Sequence, residues 1–191
     1  MKKKKEKKSP QKVLLRRYRR IKALIKEINK CLDAKLWYAA LVLILILPDI
    51  CAALESLKGK SEQRYTAWHE KWLMNKYPSV SAQDLWNLRC GMAHQGKPGH
   101  RKLTYRVFFT VNSKDGFRIR ELDVVEGSNS TTPLKKAKIL DLQVFAKDMI
   151  AAVEEWYAQK GQTEEVKKNI SALIQYYPDG LPPYIDQAAI G

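Results

Sequence analysis

Arg89 and His94 stand five positions apart in the run Leu85-Trp86-Asn87-Leu88-Arg89-Cys90-Gly91-Met92-Ala93-His94-Gln95-Gly96. A guanidinium stays charged at every physiological pH, and its planar fork can grip a phosphate. An imidazole beside it can move a proton near neutrality. Together they would suit chemistry at a phosphodiester, one group stabilising charge while the other transfers a proton. Ordinary helix electrostatics account for the same residues, since cations near a helix C-terminus are favoured by its dipole.

Other constellations are weaker. Cys90 and His94 are four apart, a spacing that zinc tolerates, and His100 is a third ligand candidate. No second cysteine pair or nearby carboxylate completes that set, so neither a metal nor any other cofactor is expected. His69-Glu70 is followed by Lys71-Trp72-Leu73, which lacks the second histidine of a zinc-protease helix. No glycine loop suited to phosphates occurs. A nucleophilic Cys90 would have a base within reach but no visible oxyanion hole. Asp49 interrupts an apolar helix; it either pairs with a basic residue or lines a site.

These residues must be positioned by helices. Apolar spacing predicts a basic amphipathic helix over 11–32, with Leu14, Ile21, Leu24, Ile25, Ile28 and Leu32 on one face. A very apolar helix follows over 34–57. A third begins at Ser61, carries Tyr65, Trp68, Trp72 and Leu73, and ends at Tyr77-Pro78. Ser81, with Asp84 three residues on, resembles a capping box opening a fourth helix through Leu85, Leu88 and Met92, which Gly96, Pro98 and Gly99 terminate. Residues 103–111 and 117–125 are rich in β-branched and aromatic side chains around Asp115-Gly116, predicting a hairpin inserted at about 101–126. Residues 127–133 read as a loop. Helical spacing returns from Ile139 to Trp156 and again over Val166, Ile170 and Leu173, and 177–191 reads as an extended segment wrapping the surface. The architecture expected is mainly α, a single helical domain over 11–176 with an inserted β-hairpin.

Charge is unevenly placed. The chain of 191 residues carries a net charge of +15, of which residues 1–30 hold +12 (fourteen Lys or Arg against two Glu). Residues 1–10 are expected to be a disordered, solvating tail. Arg16, Arg17, Arg19 and Arg20 fall inside the amphipathic pattern instead, where they can neutralise phosphates of a nucleic acid. Three cysteines, Cys31, Cys51 and Cys90, lie in apolar surroundings, which points to free thiols and a cytoplasmic location. The N-terminal lysines lead into no apolar core of a secretory signal. The apolar run 36–47 reaches Pro48 after twelve residues, short of the roughly twenty a spanning helix needs, so a buried helix is expected and no membrane partner.

The segment Arg89-Cys90-Gly91-Met92-Ala93-His94 resembles the Arg-x4-His signature of the HEPN superfamily, late in an all-helical bundle. Pro48-Asp49-Ile50-Cys51-Ala52-Ala53-Leu54-Glu55, Arg64-Tyr65-Thr66-Ala67-Trp68, Phe145-Ala146-Lys147-Asp148-Met149 and Pro182-Pro183-Tyr184-Ile185 look like stretches of uncharacterised bacterial HEPN-like proteins. The resemblance covers about residues 11–176. It implies a HEPN-like helical bundle and metal-independent cleavage of RNA, possessed by toxins and defence proteins that pair as homodimers and can have a cognate antitoxin. Carried over, His94 would move protons around the ribose 2′-hydroxyl and Arg89 would stabilise the scissile phosphate, giving a 2′,3′-cyclic phosphate and a 5′-hydroxyl. Asp49 and Cys90 would line the site. Catalytic members usually place Asn, Asp or His just after the arginine, and this chain has Cys90, a weak donor. Other HEPN-like proteins are non-catalytic modules that bind nucleic acid or protein, which is the alternative.

Overall fold

A computed structural model describes the main chain of residues 10–96, 106–111, 113–124, 135–174, 180–181 and 185–186, with side chains described within 19–96, 107–111, 113–122 and 136–174. The expected tail, His100, Pro98 and Gly99, the loop 127–133, and most of 177–191 lie outside the described residues. The chain is mainly helical, with six α-helices and a small three-stranded sheet among the described residues.

Helix α1 (Pro10–Asp33) buries Ile21, Ile25 and Ile28, the stripe expected from its apolar spacing. It ends in a reversed turn in which Leu36 N–H donates to Cys31 O and Lys35 N–H to Leu32 O. Lys35 occupies the left-handed position of this turn at φ 58°, where glycine is the usual residue. Helix α2 (Trp37–Glu55) runs through Pro48 without stopping. It packs against α1 and against α3 (Ser61–Trp72), α4 (Ala82–Gln95), α5 (Leu142–Lys160) and α6 (Glu164–Asn169), which explains a composition with almost no polar residues. Among the described residues it is the one helix long and apolar enough to cross a membrane, and 50% of that span is buried inside the protein.

Helix starts follow the capping rules. Ser81 Oγ accepts from Asp84 N–H at 3.1 Å, Asp141 accepts from Gln143 and Val144 N–H at 2.9 and 3.0 Å, and Thr163 accepts from Val166 N–H. Gly96 closes α4 in the left-handed conformation at φ 61°.

The inserted segment is not a hairpin. Strands β1 (Arg106–Thr110) and β2 (Ile119–Val124) do not pair with each other; both pair with β3 (Lys135–Asp141), β1 in parallel and β2 antiparallel. The connection 111–118 is longer than a tight two-residue reversal, so it sets no local register. Strand β3 then takes the central place and satisfies the main-chain groups of both neighbours. Ile139 and Leu140 consequently belong to a strand, not to the helix expected from their spacing, and Asp141 both ends that strand and caps α5.

The inner sheet face, with Val107 and Leu140 buried and Phe109 5.7 Å from Phe145, lies against α5. Asp148 on α5 fastens the insertion. It accepts from Arg118 Nε at 2.8 Å, Lys76 Nζ at 3.0 Å and Tyr77 Oη at 3.0 Å. Burial would raise this carboxyl, but the bonds from Arg118, Lys76 and Tyr77 outweigh it and hold the group below its ordinary value. Near the C-terminus, β4 (Gly180–Leu181) pairs antiparallel with β5 (Ile185–Asp186).

Candidate functional site

Helix α4 carries Arg89 and His94 in its last two turns, between the Ser81 cap and Gly96. Five positions rotate a helix by about 140° and advance it by about 7.5 Å. The two side chains therefore leave α4 in different directions. Arg89 turns toward α2, where its Nη2 donates to Asp49 Oδ2 at 2.5 Å. Both side chains are less than one-fifth exposed, at 17% and 18%. His94 is exposed at the helix end. One copy of the chain does not bring the two groups onto one face.

Asp49 thus takes the pairing role foreseen as one of its two options. Its position just after Pro48 places it on the α4 side of α2, within reach of the guanidinium. A bonded, part-buried ion pair is costly to break from one side, because the remaining charge is left poorly solvated.

Around the pair lies an aromatic wall of Trp86 and Tyr65, to which the sequence reading gave no part in the site. The Arg89 guanidinium sits 5.2 Å from the centre of the Trp86 ring, and Trp86 packs against Tyr65 at 5.3 Å. Cations favour the face of an indole ring. The Tyr65 hydroxyl is buried without a hydrogen-bond partner. Burial pushes its pKa far up; the Arg89 charge opposes that shift, while Asp49 and Cys90 add to it. Tyr65 is therefore close enough to feel all three site residues. Its place on an apolar helical face looks the same for any core tyrosine, and the resemblance of the stretch around it gave it no role.

Arg89 Nε is also buried and unpartnered. Guanidinium offers five donors, so the one bond to Asp49 leaves capacity for a phosphate oxygen. Cys90 is a half-buried free thiol on the next position of α4. Among the described residues no cluster of three His, Cys, Asp or Glu side chains converges as a metal site would require. A groove of about 330 Å³ is lined by Asp49 itself together with Ile50, Ala53, Leu57, Asn169 and Leu173.

The basic arginines divide. Arg16 and Arg17 have side chains outside the described residues, and Arg19 is exposed on α1. Arg20 has a structural engagement. Its Nη1 donates to the carbonyls of Ile170 at 2.9 Å and Ser171 at 2.5 Å, where they close the turn after α6. That contact joins α1 to the far end of the chain, and periodicity gives no hint of it. No family model, curated protein or solved structure matches this chain.

Proposed function

We propose that this chain is a HEPN-like, metal-independent endoribonuclease that acts in the cytoplasm as a homodimer, in a toxin-like or defence role with a cognate antitoxin as a further partner. The observation that supports it is the poised Arg89: a guanidinium oriented by Asp49 and stacked on Trp86, with an exposed histidine at the end of the same helix. A second copy is needed because one helix aims the two groups apart. Partly buried Leu43, Ile46, Ile50 and Ala53 form a stripe on α2 with alternating spacings of three and four residues, the pattern of a helix seam. Asp49 borders that stripe, so a two-fold contact along it would bring two Arg89–Asp49 pairs to one seam at no extra sequence cost.

In this reading the 2′-oxygen attacks phosphorus as His94 accepts its proton, while His94 of the second copy protonates the departing 5′-oxygen. Arg89 stabilises the charge that builds on the phosphoryl oxygens. A deoxyribose at the cleaved position lacks the nucleophile and stops the reaction.

The test is cleavage of labelled RNA by purified protein. His94→Ala is exposed and should abolish cleavage with the fold intact. Arg89→Lys keeps the charge for Asp49 but loses the planar fork, and should lower the rate by about a hundredfold or more. Arg89→Ala is a poorer probe, since it strands Asp49 and should cost about 1–3 kcal/mol of stability. Cleavage that survives His94→Ala overturns the assignment.

A second reading, a non-catalytic HEPN-like module that binds nucleic acid or protein, is favoured by the closed Arg89–Asp49 pair and the half-buried thiol of Cys90 in place of a polar neighbour. Cys90→Asn separates the two, because restoring a polar donor raises activity only in an enzyme.

A further inference from the structure

The outer face of the three-stranded sheet presents aromatic and cationic side chains together. Register places Phe108, Ile139 and Arg120 in one row across β1, β3 and β2, so their side chains share a face. Phe108 is 44% exposed, whereas Val107 beside it is buried on the inner face. Arg120 lies over the Phe117 ring at 4.1 Å. Leu122, exposed and two positions beyond Arg120 on β2, extends the apolar part of the patch. Strand spacing puts the Phe108 and Arg120 positions about 10 Å apart.

Charge selects among occupants. Residues 101–138 carry nine Lys or Arg against four Asp or Glu, a balance of +5, while 31–100 and 139–191 together carry twelve against fourteen, a balance of −2. The sheet segment is thus the basic part of the body beyond the N-terminal helix. A protein partner seeking an apolar surface would meet the Arg120 charge at the β2 end of the row. Arg120 also pairs with Asp115 at 3.3 Å, both side chains being more than half exposed, so the pair is weak and a phosphate can take the place of the carboxylate. A nucleic-acid strand thus has what the patch asks for: a phosphate for Arg120 and base faces for Phe108 and the Arg120–Phe117 stack. Paired bases hide those faces inside a duplex.

From this juxtaposition we infer that the outer sheet face is a stacking platform for the unpaired bases of a single-stranded nucleic acid. The biological ligand rests on the ribonuclease reading, but the platform itself needs no 2′-hydroxyl. Stacking uses the base and charge neutralisation uses the phosphate, so single-stranded DNA binds the same face and is not cut.

The experiment follows fluorescence anisotropy of a short fluorescein-labelled oligodeoxythymidylate with the full chain at fixed salt. Phe108→Leu keeps an apolar side chain at a half-exposed position and should weaken binding roughly five- to a hundredfold, the effect of losing one stacked base. Phe108→Tyr should bind like the wild type. Arg120→Gln should weaken binding and also reduce its dependence on salt. Unchanged affinity in Phe108→Leu overturns the inference, as does a duplex oligonucleotide that binds as tightly as the single strand. The platform is read from binding of a DNA probe that is not cut and the ribonuclease from RNA cleavage, so a failed cleavage assay and a failed platform give different results.

Discussion

His69 shows how much a single residue type leaves open. Its ring is fully buried on α3, and neither nitrogen has a hydrogen-bond partner. Burial alone lowers its pKa from 6.5 to about 4. The folded protein therefore holds the neutral ring over a range where the unfolded chain takes up a proton. Stability contributed this way is present above pH 6.5 and is lost as pH falls from there toward 4. Between pH 7 and 5 the loss should be about 2 kcal/mol. Urea unfolding at the two pH values measures it, and His69→Leu should remove most of the difference. An equal loss in that variant would assign the acid sensitivity to other groups. The same residue next to Glu70 invited comparison with a metalloprotease helix; the fold makes it a neutral core side chain instead.

Helix α2 carries the element-scale argument. Nine of its side chains are buried, yet the stripe through Leu43, Ile46, Ile50 and Ala53 is only partly covered. A helix apolar on every side has a neighbour on every side when its protein is fully assembled. Here five helices cover only part of it. Ile46→Glu should leave the monomer folded, because that side chain is already open to solvent on one side. It should also shift the protein from dimer to monomer in light scattering at micromolar concentration. A wild type that is already monomeric there, or a dimer indifferent to Ile46→Glu, rules out this seam.

At the scale of the whole molecule, charge and fold are partly separate. Residues 1–30 hold +12 of the net charge of +15, but within them Arg20 joins α1 to the turn after α6. Replacing Arg16, Arg17 and Arg19 with Gln should therefore weaken binding to unrelated RNA sequences and lower its salt dependence by up to about three phosphate contacts, with no change in unfolding midpoint. Adding Arg20→Gln should lower stability as well, since three carbonyls at one chain end lose their donor. If binding is unaffected by the triple replacement, the arm serves some other purpose, and the sheet platform would have to supply the affinity alone.

Local chemistry made much of this architecture legible in advance. The periodicity of Ile21, Ile25 and Ile28, the Ser81 cap and the Gly96 stop each act over one or two helical turns, and each lies where the residues alone placed it. Arg89 and His94 were recognisable for the same reason, as a spacing along one helix. What could not be read were relations between segments far apart in the chain. The pairing of Arg89 with Asp49, the hold of Arg20 on Ile170 and the wall of Tyr65 and Trp86 span dozens of residues, and no periodicity encodes which cation meets which acceptor. The sheet is the sharpest case. Two β-rich runs flanking Asp115-Gly116 suggest each other as partners, but strand pairing is decided by which main-chain groups are left unsatisfied after packing, and β3 satisfies both. Side-chain type and spacing thus determined the helices and the reacting groups; only the tertiary structure decided what those groups face.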